Sequence, residues 1–129
     1  MEILIKENQK VEVKYKGFSI LTDQPTQAGG DNSAPSPFDL FMASIGACAG
    51  FYVKSFCVQR ELPLEGIRLE QKMHRDPEKR MITQVEINIF LPDGFPEKYR
   101  APLIKAAEAC SVKKHISSAP EFLVNTVID

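Results

Sequence analysis

The side chains in this sequence best suited to covalent chemistry are three thiols, Cys48, Cys57 and Cys110. A thiolate is a nucleophile, and two thiols that meet can cycle between a reduced pair and a disulfide. Cys48 lies within Ala43-Ser44-Ile45-Gly46-Ala47-Cys48-Ala49-Gly50, the most apolar part of the chain. Cys57 follows nine residues later, which at about 100° per residue puts it on the opposite face of one helix. Those two cannot bridge within that helix. Cys48 and Cys110 can, if the segments that carry them meet with Cα atoms within about 7 Å. Against this stands the ordinary fate of a free cysteine, which is burial as a small hydrophobe. Residue type alone gives that inert role to each thiol, and Cys57, between Phe56 and Val58, keeps it.

Other side chains carry weaker signals. Lys114, one turn beyond Cys110, would lower that thiol's pKa if the helix continues, although a solvated Lys at a helix end is the simpler role. His115 is a further candidate with no partner visible in sequence. His74-Arg75-Asp76 has the composition of a kinase catalytic loop, but the companion motifs are absent and it fits a hairpin turn. Two His and three Cys occur without CxxC or HxxxH spacing, so no metal site is expected. Gly29-Gly30 has no phosphate-binding pattern around it.

These thiols must be positioned by a small set of elements. Val11, Val13 and Tyr15 alternate with charged residues as in a half-buried strand, and Lys16-Gly17 turns the chain back into a strand at Phe18 to Leu21. Thr22 to Ser36 is rich in turn formers and reads as a long surface loop, of a length that is usually functional or mobile. Ser36 is a good N-cap, Pro37 suits the first helical position, and Asp39 can complete the cap. From Pro37 the spacing predicts a helix to about Glu61, apolar nearly all round in its first half. Leu64 to Met73 and Met81 to Leu91 read as strands joined at Asp76-Pro77-Glu78-Lys79. Pro96 to Cys110 is helical, with Leu103, Ala107 and Cys110 on one stripe, and a continuation through His115 is closed by Pro120. Phe122 to Ile128 is expected to form a last strand. The order is that of an α+β fold in one domain, residues 1–129.

Composition limits the function further. The 129 residues include 16 Lys+Arg and 17 Asp+Glu, a net charge of -1 with no basic run, which argues against nucleic-acid and anionic-membrane partners. The uncharged run Leu40 to Val53 is 14 residues, short of the roughly 20 a bilayer span needs. No export signal opens the chain, so a cytoplasmic protein with reduced thiols is expected.

Two segments add a resemblance. Pro37-Phe38-Asp39-Leu40-Phe41-Met42-Ala43-Ser44-Ile45-Gly46-Ala47-Cys48 resembles the first cysteine motif of the OsmC/Ohr superfamily, the osmotically inducible and organic-hydroperoxide-resistance proteins. Ala109-Cys110-Ser111-Val112-Lys113-Lys114-His115-Ile116 resembles its second. The resemblance implies an OsmC-like fold, with curved, mostly antiparallel sheets around a long central helix, in an intertwined homodimer. It implies a peroxidatic Cys48, a resolving Cys110, a small hydroperoxide substrate and an external dithiol reductant, with no metal or organic cofactor.

The chain departs from the peroxidase branch at one point. There an Arg from the N-terminal strands, held by a Glu directly after the motif's Pro, steadies the peroxide. Here Phe38 follows Pro37, and Lys6 to Leu21 offers four Lys and no Arg. The cation matters. Lowering a thiol pKa from about 8.5 to about 6 raises the thiolate fraction roughly 30-fold at neutral pH, but costs on the order of tenfold in nucleophilicity. A fixed donor for the departing alkoxide supplies the rest. The alternative is a non-catalytic dimer that binds a small apolar ligand. Phe38, Phe41, Phe51 and Tyr52 near Cys48 fit core or a dimer interface better than a pocket.

Overall fold

The computed structural model describes residues 1–128. The chain divides into two compact units, Met1–Ser44 and Ile45–Asp129. The first unit holds an antiparallel meander of β1 (Glu2–Ile5), β2 (Val11–Tyr15) and β3 (Phe18–Thr22). Tyr15 pairs with Phe18 across the expected two-residue turn, and both Lys16 and Gly17 have positive φ, as such a tight hairpin requires.

The loop after β3 is ordered by one carboxylate. Asp23 is fully buried and accepts hydrogen bonds from the N–H groups of Gln24 (2.8 Å), Asp31 (3.2 Å) and Ser33 (3.0 Å), and from the Ser33 hydroxyl (2.7 Å). The Ser33 bonds lead in holding its pKa down to about 2. Gly30 is needed here because a Cβ would lie 1.9 Å from the Gln24 carbonyl oxygen. A single turn of 3-10 helix at Thr26–Ala28 interrupts the loop.

Helix α1 (Pro37–Val58) begins as the sequence predicts. The Ser36 N–H donates to Asp39 Oδ2 at 3.0 Å, and the Asp39 N–H donates to Ser36 Oγ at 3.1 Å, closing a reciprocal cap. Its end comes before the expected Glu61. Glu61 turns left-handed (φ 54°), and the Leu62 N–H returns to the Cys57 carbonyl at 2.9 Å, so a Schellman turn stops the helix ahead of Pro63. By length and composition α1 would also suit a bilayer, a point missed by counting only its uncharged run.

The second unit packs the later turns of α1 with β4 (Arg68–Asp76), β5 (Met81–Phe90), α2 (Arg100–Glu108) and α3 (Ser111–Ser117). Strand β4 starts four residues later than expected because the chain turns at Gly66 (φ 77°), with the Ile67 N–H on the Leu64 carbonyl. It pairs antiparallel with β5, and His74, inside the strand, contacts Glu86 across it at 3.1 Å. Ala49, Val53, Phe56, Cys57, Leu103 and Ala107 belong to the buried core, which confirms the stripe drawn through α2. Gly46 admits the Gln71 side chain of β4, whose Oε1 would sit 2.7 Å from an added Cβ. The expected strand at Phe122 to Ile128 does not form. These residues are exposed, and apolar alternation makes a strand only where a neighbouring strand accepts its hydrogen bonds.

Candidate functional site

Cys48 lies on α1, three residues after Ile45 and one turn before Tyr52. Cys110 lies where the expected continuous helix breaks. Helix α2 ends at Glu108, and Cys110 leaves helical geometry (ψ 125°) to become the N-cap of α3. The Lys114 N–H then donates to the Cys110 carbonyl at 3.1 Å. The first N–H groups of any helix lack an acceptor within it. Here those of Ser111 and Val112, with the Cys110 thiol, are close enough to the Cys48 sulfur to favour its thiolate.

The two predicted thiols are therefore brought together. Cys48 is half-buried and Cys110 is fully buried. Burial pushes the Cys48 pKa up, but the hydrogen bonds from Cys110, Val112 and Ser111 and the nearby Lys113 ammonium outweigh it, so the net direction is down. Each of these groups favours the thiolate. Cys57 shows the opposite balance. Sealed in the core, its thiol is pushed up by burial, against a smaller opposing effect of the Arg60 charge.

The remaining sequence candidates separate clearly. The charge acting on Cys48 comes from Lys113, whereas Lys114 is exposed. Sequence reasoning weighed Lys114 only for its effect on Cys110, with a solvated Lys as the simpler role, and its exposure agrees with that role; the cation near Cys48 was not identified from sequence. His115 donates from Nδ1 to the Ser111 carbonyl at 2.7 Å, a bond within α3. Asp39 belongs to the cap of α1. Phe38, Phe41 and Phe51 are exposed and so are not core of the single chain.

Sequence reasoning gave Ser111 and Val112 no role of their own and assigned Tyr52 to core or a dimer interface. Tyr52 Oη lies 3.2 Å from Ser111 Oγ, which ties α1 to the first residue of α3. A cysteine is not an ordinary cap residue, so nothing local announced a helix start at Cys110.

An open groove of about 900 Å³ is lined by Ile45, Val85, Ile87, Leu103 and Ile116 together with Lys113; neither cysteine lines it, but Ile45 lies three residues before Cys48 and Lys113 three after Cys110. Its wall is mainly apolar and carries two cations, Arg100 and Lys113, of which Lys113 acts on Cys48. The site thus offers a stabilised thiolate, a second thiol that favours it, and an apolar groove that shares Lys113 with them.

The family profile described as OsmC-like protein matches residues 30–125, a span that includes both cysteines. Among curated proteins, none matches the chain. Several solved structures share the fold. A proposed osmotic stress induced and detoxification response protein from Psychrobacter arcticus 273-4 is 22% identical, with a TM-score of 0.73 over 88% of this chain and 84% of that one. The organic hydroperoxide resistance protein OsmC from Legionella pneumophila is 20% identical, with a TM-score of 0.54 over 89% and 85% of the two chains. A proposed organic hydroperoxide resistance protein from Vibrio cholerae, with captopril bound in one of its active sites, is 14% identical, with a TM-score of 0.57 over 91% and 83%.

Proposed function

Because this chain belongs to the OsmC-like protein family, we propose that it reduces organic hydroperoxides or hydrogen peroxide through Cys48 and Cys110. The observation that carries the proposal is that Cys110, at the cap of α3, is the foremost group favouring the Cys48 thiolate, so the two thiols are neighbours. The names of the similar proteins from Legionella pneumophila and Vibrio cholerae support the same chemistry.

In the proposed cycle the Cys48 thiolate attacks the distal peroxide oxygen, forming an S–O bond as the O–O bond breaks. The alcohol leaves after its oxygen takes up a proton, and Cys48 becomes a sulfenic acid. The Cys110 sulfur then attacks Cys48, an S–S bond forms, and the hydroxyl leaves as water. An external dithiol reduces the disulfide. Lys113 supplies the cation for the developing alkoxide, in place of the Arg of the peroxidase branch, and the groove takes the organic group. The proposal includes a homodimer in a reducing cytoplasm, and exposed Phe38, Phe41 and Phe51 support the dimer.

The aliphatic groove also favours a second reading, a non-catalytic dimer that holds a small apolar ligand. Consumption of cumene hydroperoxide in the presence of dithiothreitol separates the two. Cys48→Ser abolishes consumption under the first reading. Unchanged consumption in that variant supports the second.

A further inference from the structure

The Tyr52 hydroxyl of α1 reaches the first residue of α3. Its oxygen is 3.2 Å from Ser111 Oγ, and Ser111 is one of two residues whose N–H groups favour the Cys48 thiolate. Cys48 and Tyr52 are four residues apart on α1 and so share a face. Ser111 follows Cys110 directly, where the backbone leaves the extended cap and enters α3. Two ties thus join the same short piece of each helix, one through the sulfur and one through the hydroxyls.

Consider what holds α3 in that pose. It is seven residues long, and none of its residues is fully buried. Helices this short have little stability of their own. Cys110 anchors the start through its buried side chain, but a side-chain anchor leaves the following peptide planes free to tilt. The ring of Tyr52 is fixed edge-on against Phe51, with centroids 5.4 Å apart, so its hydroxyl is a well-placed stop for Ser111.

We propose that Tyr52 is a positioning residue, acting through Ser111 to hold the Ser111 and Val112 N–H groups on the Cys48 sulfur. The inference rests on Cys48 being the reactive thiol of the proposed function. Its closing experiment reads Cys48 without any peroxide, so failure of the peroxidase reading and failure of this one are distinguishable. The ionisable groups that face Cys48 are Cys110 and Lys113, and both are kept intact in the test.

The measurement is the pH dependence of Cys48 alkylation by iodoacetamide, followed by peptide mass spectrometry in the reduced full chain. Tyr52→Phe keeps the ring and removes only the hydroxyl, and Ser111→Ala keeps the N–H groups and removes the other partner. Each is expected to slow alkylation about threefold below the midpoint, an upward move of about half a pH unit. The double variant is expected to move no further than either single one, because both remove the same bond. An unchanged midpoint in Tyr52→Phe, or a double-variant shift equal to the sum of the two single shifts, overturns the proposal.

Discussion

Cys110 leads the groups that favour the Cys48 thiolate, although 62 positions separate the two residues in sequence. That relationship depends on the α2–α3 break. The buried stripe of Leu103 and Ala107 sets the depth of Cys110, and the cap geometry then turns the next two N–H groups toward Cys48.

Lys113 is expected to tune the reactive thiol. Lys113→Met removes the positive charge near Cys48 and keeps much of the aliphatic stem. The Cys48 alkylation midpoint should rise by a few tenths of a pH unit, with a smaller change at high salt because the pair is partly exposed to screening. Hydroperoxide reduction should slow by on the order of tenfold, the alkoxide having lost its cation. A variant with wild-type midpoint and rate would remove Lys113 from the site.

Asp23 is expected to control the loop that leads into α1. Its folded-state pKa, about 2, lies below the ordinary value of 3.8. A depressed carboxyl stabilises the fold above the unfolded pKa, and that contribution is lost as pH falls through the folded one. The loss therefore falls between about pH 4 and pH 2. Asp23→Asn should lower Tm at neutral pH by several degrees, since an amide nitrogen would face donors. Its Tm should also fall less steeply than wild type across that acid window. Parallel curves for the two proteins would refute the assignment.

Self-association is the third expectation. Phe38, Phe41 and Phe51 are 55%, 45% and 64% exposed on one chain, more aromatic surface than an isolated small protein ordinarily leaves in water. Light scattering should return twice the 14.5 kDa chain mass, and Phe51→Glu should weaken association about tenfold or more. A stable wild-type monomer would contradict this.

Much of this arrangement was legible in the sequence where the physics is local. The Ser36–Asp39 cap, the Lys16-Gly17 hairpin and the Leu103–Ala107–Cys110 stripe depend on neighbours within a few residues, and all three hold. The resemblance carried by the two cysteine motifs pointed to the family that the profile match establishes. Where local rules met competition, the outcome shifted. The left-handed Glu61 ended α1 before Pro63 could, and Gly66 delayed β4. Features made by tertiary contact left no local trace. The bond from Tyr52 to Ser111 spans 59 positions, and the charge of Lys113 reaches Cys48 from a separate helix. The segment Phe122 to Ile128 has strand composition without a strand partner among the described residues.

The most direct test adds one equivalent of cumene hydroperoxide to the fully reduced protein at pH 7, followed by non-reducing peptide mapping. The account predicts a Cys48–Cys110 disulfide with Cys57 still a free thiol. Oxidation confined to Cys57, or three thiols left reduced, would contradict it.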